Sequence, residues 1–173
     1  MSFELLLEPL RQVPLFQGLR PIQIAEIARH AERVMFRDGN VIIQEDQDAD
    51  AAFLIISGDV VRISGPASSE PVPTGSLVGE MAMLVETTHS STVVCKGSVR
   101  VLKITRQALH ERMQADPTLA DHFVSKLLSR LQSLADDLRR VDQLLAAEPP
   151  ATATLLPARL LPTSTDAGLH APR

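Results

Sequence analysis

Five short runs rich in β-branched residues, crowded between Val34 and Ile104, constrain this chain more than any other feature. They are Val41-Ile42-Ile43, Phe53-Leu54-Ile55-Ile56, Val60-Val61-Arg62-Ile63, Thr92-Val93-Val94 and Val99-Arg100-Val101-Leu102-Lys103-Ile104. Glycine- or aspartate-bearing stretches separate them: Asp38-Gly39-Asn40, Ser57-Gly58-Asp59, Pro71-Val72-Pro73-Thr74-Gly75 and Lys96-Gly97-Ser98. Many strands at such close spacing, with no helical period between them, build a barrel or jelly roll.

Helical patterns bracket this core. Residues 3–31 read as helical, interrupted at Pro9 and Pro14, with Ile22, Ala25, Ile27 and Ala28 at helical spacing behind Pro21. Past Ile104, Thr105 caps a short helix reaching about Met113. Asp116-Pro117 then starts a long helix, with Asp as N-cap and Pro in the first turn, that runs to about Ala147. Pro149-Pro150 ends it, and residues 148–173 form a Pro-containing segment without periodicity, expected to be a disordered tail. The expected fold is therefore α+β, mainly β. A double-stranded β-roll (33–104) carries N-terminal helices (3–31) and C-terminal helices (106–147), giving one domain over 1–147.

The long helix carries Val124, Leu127, Leu131, Leu134, Leu138, Val141 and Leu145 at alternating steps of three and four. That is a heptad seam, narrower than the stripe a helix needs to lie on its own domain. It predicts a homodimer through a coiled coil of two such helices. Asp137 would face Asp142 of the partner helix in a parallel pair, a mildly repulsive contact.

Composition excludes several classes. The net charge is −4, and the most basic stretch is Arg139-Arg140. There are five Phe, with no Trp or Tyr. Counterion release and base stacking both need more than this, so direct DNA binding is not expected. The single Cys95 precludes an intramolecular disulfide and, within an apolar run, reads as a small buried hydrophobe. No apolar run reaches membrane-spanning length, and Met1–Glu8 holds two acids and no basic lead. A cytoplasmic protein without membrane contact is expected. His30, His89, His110, His122 and His170 form no metal-ligand spacing, and neither a Gly-x-Ser-x-Gly nor a phosphate-binding Walker loop occurs. No catalytic or metal-binding residue and no cofactor is expected, and an enzyme of the cupin kind is disfavoured.

The segments Phe36-Arg37-Asp38-Gly39-Asn40-Val41-Ile42-Ile43 and Ala52-Phe53-Leu54-Ile55-Ile56-Ser57-Gly58-Asp59-Val60 resemble the first hairpins of cyclic-nucleotide-binding domains. Those are the regulatory domains of catabolite activator protein, cyclic-AMP-dependent protein kinase and cyclic-nucleotide-gated channels. Gly75 through Gly79-Glu80-Met81-Ala82-Met83-Leu84 is similar to that family's phosphate-binding cassette. Asp116-Pro117-Thr118-Leu119 and Ser129-Arg130-Leu131-Gln132 resemble its dimer helix. The likeness covers roughly residues 10–145.

The resemblance implies a ligand, cyclic AMP (cAMP) or cyclic GMP (cGMP), held in the roll. The amides after Gly79 would face the cyclic phosphate, and Glu80 would accept from the ribose 2′-hydroxyl. The family's cassette arginine would pair with the phosphate. Here His89 stands nine residues after Glu80, where that arginine belongs, followed by Ser90 and Ser91. Histidine is mostly neutral at pH 7 and offers no planar fork. Its presence costs on the order of 2–4 kcal/mol, or roughly 30- to 1,000-fold in affinity. The candidate site is Gly79, Glu80, Met81, Ala82, His89, Ser90 and Ser91. Leu134 and Ala135 stand where catabolite activator protein presents a Thr-Ser pair to adenine, and Glu45 stands where the family has glycine.

Two readings follow. One is a non-enzymatic sensor of a cyclic nucleotide or similar small anion, signalling through the C-terminal helix. The other is a dimeric interaction module whose degenerate cassette no longer takes nucleotide. The residues past Pro149 are too few and too irregular for a helix-turn-helix. Any output therefore passes to an unidentified effector partner.

Overall fold

A computed structural model of the chain describes residues 4–65 and 68–147. Two compact units divide it, residues 1–132 and residues 133–173. The first unit holds the roll, its flanking helices and the beginning of the long helix. Among the described residues, the second holds the helical segment from Ser133 to Ala147. The expected tail, 148–173, lies outside the described residues.

The N-terminal segment is α1 (Glu4–Gln12), a 3-10 turn (Pro14–Phe16) and α2 (Pro21–His30). Pro9 lies inside α1 and does not end it, contrary to the break expected there. Leu6 and Leu10, 2% and 0% exposed, anchor that helix on the core, and their burial outweighs a missing backbone donor. Pro14 does bring a change, to the 3-10 turn.

The roll contains β1 (Glu32–Phe36), β2 (Val41–Ile43), β3 (Asp48–Ala49), β4 (Ala51–Ser64), β5 (Ser68–Val72), β6 (Leu77–Val78), β7 (Thr87–Thr88) and β8 (Thr92–Thr105). The main sheet runs β1-β8-β4-β5, all antiparallel, with β2 also on β8 and β6 also on β4; β3 and β7 form a second small sheet. This is the mainly-β jelly roll with helices at both ends of the chain order.

The strand count differs from the reading of the runs. The second and third runs are one strand, β4, and the last two are one strand, β8. Ser57-Gly58-Asp59 and Lys96-Gly97-Ser98 are not chain reversals. They face each other as a paired irregularity, where Ser57 opposes Arg100 but Asp59 opposes Lys96. Such bulges bend and twist long strands, curling the sheet into a roll. Gly58 adopts φ 102°, and a Cβ there would sit 2.5 Å from the Ser98 carbonyl oxygen and 2.9 Å from Val99 Cα, so only glycine fits the crossing.

Two apolar clusters share the interior. Leu54, Met83, Leu102, Ile104 and Phe123 join the helices to one end of the roll. Ile43, Val60, Val93, Cys95 and Val99 fill the other. Cys95 is fully buried, and that burial, followed by Asp38, pushes its thiol pKa up, as an inert core residue requires.

The C-terminal helices begin where their capping residues stand. Thr105 Oγ1 accepts from the Ala108 amide at the start of α3 (Arg106–Ala115). Asp116 Oδ1 accepts from the Thr118 amide at the start of α4 (Pro117–Ala147). Phe123 meets Phe16 edge to face at 6.1 Å, tying the first turns of α4 to the N-terminal 3-10 turn.

Candidate functional site

An open cleft of about 500 Å³ lies between the inner face of the roll and α4. All seven candidate residues, Gly79 to Ala82 and His89 to Ser91, line it. The 3-10 turn Glu80–Met83 is held from below by Ala82 and Met83, 1% and 0% exposed, so the turn's remaining groups face outward. Gly79 starts the turn in the left-handed region at φ 70°. A Cβ there would lie 2.9 Å from His89 Cε1 and 3.2 Å from the Ala51 carbonyl oxygen. The imidazole of His89 thus packs directly over Gly79.

The loop 44–47 fixes His89 through its backbone. The Asp46 amide donates to the His89 carbonyl at 2.9 Å, and the His89 amide donates to the Gln47 carbonyl at 3.2 Å. Asp46 takes φ 62°, unusual outside glycine, and the Glu45 amide donates to Thr92 Oγ1. The glutamate at 45 therefore coexists with a tight loop because its neighbour carries the positive φ. Desolvation lowers the His89 pKa below 6.5, against a smaller opposing pull from Asp50. His89 is accordingly neutral at pH 7. Ser91 is buried and Ser90 exposed at the rim.

Further residues line the wall, Arg130, Arg62 and Ser64 among them. Glu80 receives a hydrogen bond and ion pair from Arg130 on α4. Arg130 stood in the helix motif, but no contact to the cassette was expected of it. Arg62 and Ser64, inward-facing residues of β4, also line the cleft, and neither was anticipated. The signal for Arg62 was present: alternation in Val60-Val61-Arg62-Ile63 puts position 62 on the same face as Val60, where an apolar residue belongs. Leu134 is 52% exposed.

The seam residues Val124, Leu131, Leu134, Leu138, Val141 and Leu145 are each half or more exposed. Leu127 differs: it packs partly on the core cluster around Phe123. Leu128 and Leu144 add to the exposed apolar surface, at 54% and 64%. No helix among the described residues is long and apolar enough to cross a membrane. No cluster of three or more His, Cys, Asp or Glu able to hold a metal occurs among them.

The fold is thus a jelly roll with a glycine-started turn, an acid beside it and an open cleft against a C-terminal helix. Residues 33–116 match the family described as the cyclic nucleotide-binding domain. A cAMP-dependent protein kinase regulatory subunit of Aspergillus fumigatus is 32% identical over 101 residues, covering 56% of this chain. The match spans 24% of that relative, about a quarter of its length. A CRP-like cAMP-activated global transcriptional regulator of Mycobacterium tuberculosis is 25% identical over 136 residues, covering 76% of this chain and 61% of the regulator. Among solved structures, a cyclic nucleotide-binding-like protein from Brucella abortus aligns with a TM-score of 0.57 and 29% identity, over 63% of this chain and 97% of that one.

Proposed function

We propose that the chain is a non-enzymatic regulatory module that binds a cyclic nucleotide, cAMP or cGMP, in the cleft between Gly79 and Ser91. The convergence of all seven cassette residues on one cleft against α4 carries this reading. Relatives named as cAMP-dependent or cAMP-activated regulatory proteins support it.

In this account the first amides of the Glu80–Met83 turn, those of Glu80 and Met81, and the hydroxyls of Ser90 and Ser91 donate to the ligand's phosphate oxygens, and Glu80 accepts from the ribose hydroxyl; the Ala82 amide is already taken by the Gly79 carbonyl. Glu80 must then share or release Arg130. Both side chains are substantially exposed, at 33% and 55%, so their pair contributes about 0–1 kcal/mol and opens readily. Ligand binding thereby alters the hold of the roll on α4, which is how binding reaches the rest of the helix. The exposed seam of α4 supports a homodimer as the state in which that change is read.

A ligand that binds only the folded protein raises its melting temperature by mass action. Millimolar cAMP or cGMP is expected to raise the midpoint by several degrees, measured by calorimetric melting. An unchanged midpoint with both nucleotides supports the second reading, an interaction module without ligand. The large exposed apolar stripe of α4 favours that alternative independently of the cleft.

A further inference from the structure

We infer that Arg62, not the residue at the cassette arginine's position, is the cation that holds the ligand's anionic group. This inference rests on the cyclic-nucleotide reading above and identifies which side chain makes it work.

Arg62 occupies a position where the roll calls for an apolar side chain. It lies on the same face of β4 as Val60, and opposite it on β8 is Val93; these two are 2% and 0% exposed. Its Nε is buried, without a hydrogen-bond partner. Among the described residues, the Arg62 side chain makes no ion pair or hydrogen bond, although Glu70 stands directly across from it on β5. A buried or half-buried cation without a partner is costly, and proteins keep one where a ligand supplies the missing charge.

The other positive groups of the cleft are already engaged or uncharged. Arg130 is engaged by Glu80. His89 packs over Gly79 and is neutral at pH 7. The Arg62 guanidinium presents a planar fork suited to two phosphate oxygens. The phosphate, held on one side by the turn after Gly79 and by Ser90 and Ser91, is therefore expected to present its remaining oxygens to the β4 wall, where Ser64 stands beside Arg62.

The test is titration calorimetry with cAMP and with adenosine, which keeps the base and ribose but lacks the anion. Wild-type protein should bind cAMP at least tenfold more tightly than adenosine. Arg62→Met should weaken cAMP about 30- to 100-fold and bring it level with adenosine. Its ligand-free melting temperature should equal or exceed that of wild type, because an apolar chain of similar length fits the inner face better than a lone charge. Arg62→Gln should lose cAMP affinity in the same way.

Retention of cAMP affinity within threefold in both variants overturns the inference while leaving the proposed function intact. So does a lower melting temperature with an undiminished ligand-induced shift, which assigns Arg62 to holding β5 through Glu70. A wild-type dissociation constant that tightens tenfold from pH 7.5 to pH 6 also overturns it, by giving the anion to a protonated His89 beside Asp50. Failure of wild-type protein to bind either probe overturns the proposed function itself.

Discussion

At the residue scale, the cleft is organised around Gly79 and the His89 imidazole packed over it. His89 has its pKa lowered by desolvation more than Asp50 restores it. Below pH 6.5 the unfolded chain takes up a proton that folded His89 resists, so the folded state loses stability there. That contribution is fully present above pH 6.5 and declines as the pH falls toward and through the lower folded value. His89→Gln is expected to flatten the melting-temperature profile between pH 7 and 5; identical slopes in variant and wild type would refute the assignment. Adding a second cation should also help an anion: His89→Arg is predicted to tighten cAMP about tenfold or more, read by competition binding. Gly79→Ala meets both a left-handed φ and contacts at 2.9 and 3.2 Å. It should cost about 1–3 kcal/mol in urea denaturation, and a cost under ~0.5 kcal/mol would show that the turn relaxes.

At the element scale, α4 does two jobs along its length. Its first turns are fastened by Asp116, whose carboxylate accepts from Thr118 and Gln23 and faces Arg20, and by the Phe16–Phe123 contact. Farther along, the seam residues are exposed. An apolar stripe left uncovered over three heptads is long enough to seat a partner helix. The protein is expected to sediment as a dimer. Leu131→Lys combined with Leu138→Lys should yield monomers while the roll's melting transition persists. A wild-type monomer across the micromolar range would contradict the role given to α4. The helix starts were legible because Thr105 and Asp116-Pro117 carry their own capping chemistry. The long strands were not: Gly58 and Gly97 look like hairpin turns, and only the register of β4 against β8 reveals a paired bulge.

At the scale of the whole molecule, the jelly roll was legible because β-branched runs and turn residues encode it locally. The cassette residues were legible through likeness to a family, since seven residues from 79–82 and 89–91 share one loop system. Arg62 and Arg130 were harder, because they come from β4 and α4, distant in sequence from that loop and brought to it only by folding. α4, far along the chain, thus reaches the cleft through one ion pair, Arg130 with Glu80, and it is through this contact that the proposed binding would act on the helix.

The most direct test of the central claim is a nitrogen-15 NMR titration of the full chain with cAMP. Saturable shifts should begin at the amides of Gly79–Ala82, Ser90 and Ser91, with a smaller set following in α4 around Arg130. Spectra unchanged at millimolar nucleotide, or shifts confined to surfaces away from the cleft, would contradict the account.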